Sequence, residues 1–130
     1  MLKGGNLIPE ADRLFLEEKY SEAECLTANG QIHIIIHQFN IPAEHYVPST
    51  VSLLLQLPSG YPNAAPDMFW TNPRVTLLNG DIPTRTDVTE PHHNKEWQRW
   101  SRHNISKWRP GVDGLRSFIS SIRRELQKGV

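Results

Sequence analysis

The sequence holds a single cysteine, Cys25, so no internal disulfide can form and a cluster of metal-bound thiolates is excluded. Long apolar runs are missing as well. No stretch approaches the length that crosses a bilayer, and no membrane partner is expected. The opening Met1-Leu2-Lys3-Gly4-Gly5 lacks the apolar run of a signal peptide, so the expected setting is a reducing cytoplasm. Net charge is absent too, with 14 basic side chains against 14 acidic ones. The balance is uneven along the chain: six acids face two bases from Glu10 to Glu24, and nine bases face three acids from Lys95 to Lys128. The C-terminal third is therefore the part that would attract an acidic partner, if its cations are not simply a solvated face. There is no internal repeat and no low-complexity tract.

What is present fits one domain spanning residues 1–130, with a core from about 9 to 128. Ten prolines and eight glycines point to turns and long connections and away from a helical bundle. Pro9 to Lys19 predicts a first helix, with proline and acids at its start and an apolar stripe at Ala11, Leu14 and Phe15. Asn29-Gly30 between Glu22–Ala28 and Gln31–Phe39 predicts a hairpin, since both residues tolerate positive φ. Ile32, Ile34 and Ile36 then share one strand face, and His33 and His37 share the other with Ile35, where they read as sheet-surface residues. Thr50 to Leu57 predicts a third strand and Asp67 to Thr71 a fourth, separated by the proline-rich turn Tyr61-Pro62-Asn63-Ala64-Ala65-Pro66. Asn72 to Glu90 reads as a long excursion with a short strand near Val75–Leu78. Val112 to Lys128 predicts a closing helix with Leu115, Phe118, Ile119, Ile122 and Leu126 on one stripe, Asp113 at its start and Gly129 as its stop. The plan is α+β: a helix, an antiparallel four-stranded meander, a long irregular segment and a helix.

That irregular segment, Pro91 to Gly111, carries three of the four tryptophans, three of the six histidines and five basic residues without a regular apolar period. It is the natural place for chemistry or recognition. Tyr61-Pro62 after the third strand, His92-His93-Asn94, and Trp108-Arg109-Pro110 before the last helix together resemble the ubiquitin-conjugating (UBC) fold. In that family a Tyr-Pro turn, a His-Pro-Asn tripeptide and a Trp-Ser-Pro stand in this order. The chain looks most like the divergent bacterial branch, prokaryotic family E, over roughly residues 9–128. The resemblance implies a ubiquitin-like protein and its activating enzyme as partners, and no cofactor. It also implies a catalytic cysteine between the two landmarks, and counting from both ends places it at Trp100-Ser101-Arg102. No cysteine is there, and His93 replaces the central proline.

Two readings follow from the resemblance. In the first, Ser101 carries the modifier as an oxyester, with His103, His92 or His93 as its base and Asn94 donating to the oxyanion. In the second, the chain is a pseudoenzyme that binds or scaffolds a modifier; Ser101 is then a loop serine, Trp108 packs under the sheet and Trp97 or Trp100 is exposed to a partner. Cys25, on a strand, reads as a small buried hydrophobe under either. A zinc site at His92, His93 and His103 with Glu90 or Glu96 lacks the required spacing, and no metal is expected. The run Trp97–Arg102 with Lys107-Trp108-Arg109 has the composition that stacks on a nucleic-acid strand, but neither the net charge nor any nucleic-acid motif supports that partner.

Overall fold

The computed structural model describes residues 2–103 and 107–130. Helix α1 covers Glu10–Lys19 and helix α2 covers Leu115–Gln127, with a 3-10 turn at Gly5–Leu7 ahead of α1. The strands are β1 Glu24–Ala28, β2 Gln31–Asn40, β3 Tyr46–Val47, β4 Thr50–Leu57, β5 Phe69–Asn72, β6 Thr76–Leu77, β7 Val88–His92 and β8 Lys95–Trp100. Six of them form one antiparallel sheet in the order β1-β2-β4-β5-β8-β7, while β3 and β6 pair separately. Among the described residues no helix is long and apolar enough to cross a membrane.

The α+β plan and both helices stand as expected, and the meander β1-β2-β4-β5 holds its four strands. The segment after it is more regular than its composition suggests: Lys95–Trp100 is a strand that joins β5 on one side and β7 on the other. Alternation explains why the 3.6-residue search missed it. Trp97 and Trp100 are three apart, so they fall on opposite faces of a strand.

The two faces of the sheet carry two cores. Ile34, Ile36, Leu53, Leu55, Phe69 and Trp100 meet Phe15 and Leu16 of α1 and Leu115, Phe118, Ile119 and Ile122 of α2. On the other face Ile35, Leu54, Trp70 and Trp97 form a smaller cluster. Each fully buried aliphatic or aromatic side chain contributes about 1.5–3 kcal/mol, so the α2 stripe alone accounts for most of that helix's stability.

Asp12 ties the elements together. It is 6% exposed, and its carboxylate accepts the Tyr61 hydroxyl at 2.6 Å and the Leu115 N–H at 3.0 Å. One carboxylate on α1 thus caps α2 and holds the Tyr61-Pro62 turn, whose peptide bond is cis. Gly114 is required here, because a Cβ at that position would stand 2.8 Å from the Asp12 carboxylate. Asp113, expected to serve the start of α2, instead accepts the Arg109 N–H at 2.7 Å in the preceding turn. Asp12→Ala is expected to cost about 2–4 kcal/mol, since it leaves two buried donors unpaired, whereas Asp12→Asn, which keeps one acceptor, costs less. Urea unfolding checks this: the midpoint should fall with the slope unchanged.

Candidate functional site

The tripeptide His92-His93-Asn94 is the tip of the β7–β8 hairpin. His93 and Asn94 both have positive φ, at 52° and 65°, which is the pair of values a two-residue type I′ turn needs. At this tip the His33 ring, only 3% exposed, lies 2.9 Å by Nδ1 from His93 Nε2, with the His92 ring centred 5.7 Å away. Burial, then the neighbouring His93 and His92, pushes the His33 pKa down to about 4, so the ring is neutral near neutral pH. His33 is therefore a buried member of a three-histidine cluster, where its alternation suggested a sheet-surface residue. His37 does remain half-buried, paired with Glu24 at 2.6 Å. Among the described residues no group of three or more His, Cys, Asp or Glu is arranged to hold a metal ion.

Ser101 stands at the opposite end of β8. At about 3.3 Å per residue the seven steps from Asn94 span roughly 23 Å, so the Asn94 amide and the Ser101 hydroxyl are not brought together. His92 and His93 are likewise held at the far tip. What the fold does place beside Ser101 is His103, two residues on. Both line one cavity of about 280 Å³, with Thr84, Arg85, Arg102, Glu125 and Lys128. The Ser101 N–H donates to the Arg85 carbonyl at 3.0 Å, and its Oγ accepts from Arg99 Nε at 2.9 Å. His103 Nδ1 is 2.9 Å from Asp67 Oδ2, which fixes the ring and leaves Nε2 as the acceptor.

Arg99 also donates to Glu90 at 2.8 Å, and the second oxygen of Glu90 meets His92 Nε2 at 3.0 Å and the Trp70 indole N–H at 3.0 Å. Burial works against the Glu90 charge, but the His92, Arg99 and Trp70 bonds keep its carboxyl below the usual range. Asp67 carried no local sequence signal, while Glu90 and Arg99 drew notice only as a zinc ligand and as part of a basic, aromatic run. Asp67 lies 36 positions from His103 and meets it only because β5 pairs with β8.

The tryptophans differ from the expectation that Trp97 or Trp100 is exposed to a partner. Trp97 and Trp100 are 1% and 0% exposed, and each indole N–H is satisfied internally, by the His92 carbonyl and by Thr71 Oγ1. Neither is a partner surface. Trp108 is half-buried beside the Tyr61 turn and donates to the Pro62 carbonyl at 2.9 Å. Tyr61, Pro62 and Trp108 thus form one unit, and the Tyr61 hydroxyl is raised by burial and by its bond to Asp12. Cys25 is 3% exposed, and burial pushes its thiol up to about 11, which removes it as a nucleophile.

No curated protein and no solved structure matches the chain. A family model described as "Prokaryotic E2 family E" matches residues 8–129, nearly the whole chain and both landmarks that flank Ser101. The geometry therefore belongs to a prokaryotic E2-like protein without an accessible thiol among its described residues: the chain is a member of prokaryotic E2 family E.

Proposed function

We propose that the chain acts with a ubiquitin-like modifier and its activating enzyme in a bacterial conjugation pathway, and that Ser101 carries the modifier as an oxyester. The observation that supports this reading is that Ser101 and His103 line one cavity, with the His103 ring bonded to Asp67. Ser101 Oγ attacks the activated C-terminal carbonyl of the modifier, its proton passes to His103 Nε2, and the activating enzyme's leaving group departs. Asp67 orients the imidazole. Arg99, already donating to the serine oxygen, favours the charge that develops there. Asn94 and the hairpin-tip histidines take no part in this step.

A second reading, a module that holds the modifier without carrying it, is favoured by one observation. Ser101 Oγ is engaged by Arg99, and no hydrogen bond joins it to His103 among the described residues. Intact mass after incubation with activating enzyme, modifier and ATP separates the two. The carrier reading expects an adduct that resists thiols, yields to hydroxylamine, disappears in Ser101→Ala and persists in Cys25→Ser. An adduct that survives Ser101→Ala would sink it, and direct binding of the modifier without any adduct selects the module.

A further inference from the structure

The two helices lie side by side and run in the same direction. Asp12 of α1 reaches the start of α2 at Leu115, and the Arg116 guanidinium carbon stands 4.7 Å from the centre of the Phe15 ring. Further on, the Tyr20 hydroxyl, just past α1, accepts from Arg123 at 2.6 Å. The contacts thus advance along both helices together from their N-terminal ends. The inward stripe of each helix is buried in the main core, which leaves each with one outer face.

Those outer faces have opposite charge and the same spacing. On α1, Glu10, Leu14 and Glu18 are exposed at intervals of four, and Leu14 keeps 51% of its surface in water. On α2, Arg116, Ser120 and Arg124 are exposed at the same intervals. In each set the two charges stand about 12 Å apart along the helix, with one residue midway, bulky and apolar on α1 but small on α2. The serine side leaves a depression of about 800 Å³ between the arginines, bordered by Lys107 and Arg109. The one acid lining it, Asp113, already accepts from Arg109. Glu17 is paired with Arg13, whereas Glu10, Arg116 and Arg124 form no ion pair among the described residues.

We propose that these faces are one self-complementary interface, through which two copies of the chain pair about a two-fold axis parallel to the helices. That axis lays α1 of each copy along α2 of the other, so both contacts form at once. Leu14 of one copy seats over Ser120 of the other, and Glu10 and Glu18 meet Arg116 and Arg124. Asp12 and Leu115 stand at one level, so the matched charges are offset by about three residues, roughly 4.5 Å, which an arginine side chain spans. A two-fold axis across the helices would instead set acid on acid and base on base. A long nucleic-acid strand suits the surface poorly, because it would run from the arginines onto the acids of α1. Exposed ion pairs contribute little singly, so the pairing is weak and sensitive to salt. Neither face includes Ser101, His103 or Asp67, and the pairing stands apart from the carrier reading.

Sedimentation velocity of the full chain over a concentration series tests this. At low salt the dimer fraction is expected to rise along the series, and raising salt from about 0.05 M to about 0.5 M should raise the dimer Kd at least about tenfold. Glu10→Lys with Glu18→Lys, and separately Arg116→Glu with Arg124→Glu, should each stay monomeric, with melting curves that show a folded chain. An equimolar mixture of the two should dimerise, because both contacts then join opposite charges. Leu14→Lys, at a position already half in water, sets a cation between the arginines and should weaken the pair about tenfold. A monomer at every concentration overturns the proposal. So does a dimer indifferent to salt or to Leu14→Lys, a charge-reversed variant that pairs with itself, or a mixture that stays monomeric. Retardation of a DNA oligonucleotide that Arg116→Glu with Arg124→Glu abolishes would assign the face to nucleic acid and overturn it as well.

Discussion

Trp100→Ala is expected to lower stability by about 3–5 kcal/mol, the cost of emptying a fully buried aromatic position. The Trp100 ring stacks on Phe69 with centroids 5.2 Å apart, meets the edge of Tyr46 at 5.7 Å and carries the Arg102 guanidinium on its face. Its indole N–H satisfies Thr71 Oγ1 in the interior at 2.9 Å. Truncation therefore leaves a cavity, takes from the Thr71 hydroxyl the bond it accepts while it still donates to Gln98, and removes the platform of a buried cation, so the upper half of the range applies. Domains of this size hold about 5–15 kcal/mol in total, and the loss should lower the melting temperature by roughly 15 °C or more. Trp100→Phe, which keeps the stacking and loses the N–H, should cost about 1–2 kcal/mol. A thermal melt of Trp100→Ala within a few degrees of the wild type would show that the residue is not the anchor of this face.

The second large effect is acid destabilisation centred on His33. In the unfolded chain the ring takes a proton near 6.5, whereas in the folded chain its pKa is about 4. Between those values the unfolded state binds one more proton than the folded state, so stability falls as pH falls. Above 6.5 the ring is neutral in both states and contributes no slope, while below 4 the full penalty is present. A separation of this size corresponds to up to about 3 kcal/mol. The groups facing His33 are the His93 and His92 rings, and Glu90, which meets His92, is already engaged by Arg99. Urea midpoints should hold steady from pH 8 to about 6.5 and drop steeply toward pH 4. His33→Gln should flatten that limb, and an unchanged limb in this variant would place the titrating group elsewhere.

How far the sequence could be read depended on whether a signal was local. Both helices, the Asn29-Gly30 hairpin and β4 lie where period and turn residues put them, because each is specified within its own window. The Pro91–Gly111 stretch was harder. Trp, Arg and Gln alternate in β8 without an aliphatic side, since one face packs Trp97 on the small cluster and the other sends Trp100 into the main core. The stretch therefore resembled an irregular loop, although His93 and Asn94 form a regular turn inside it. At the site, the position of Ser101 followed from flanking landmarks, but Asp67 did not. Its place beside His103 comes from the pairing of β5 with β8, remote in sequence. Asn94 shows the converse, because proximity in sequence became separation in space once β8 was extended.

The far edge of the six-stranded sheet, β7, carries Pro91 opposite Glu96. A proline has no N–H to offer, so the outer row of donors along this edge is interrupted at the fourth residue of a five-residue strand. A neighbouring chain arriving edge-on meets a broken ladder flanked by the half-buried carboxylate of Glu90. The sheet therefore ends at β7 by its own chemistry, and the hairpin that separates the histidine cluster from Ser101 also guards the protein against growing into fibres through that side.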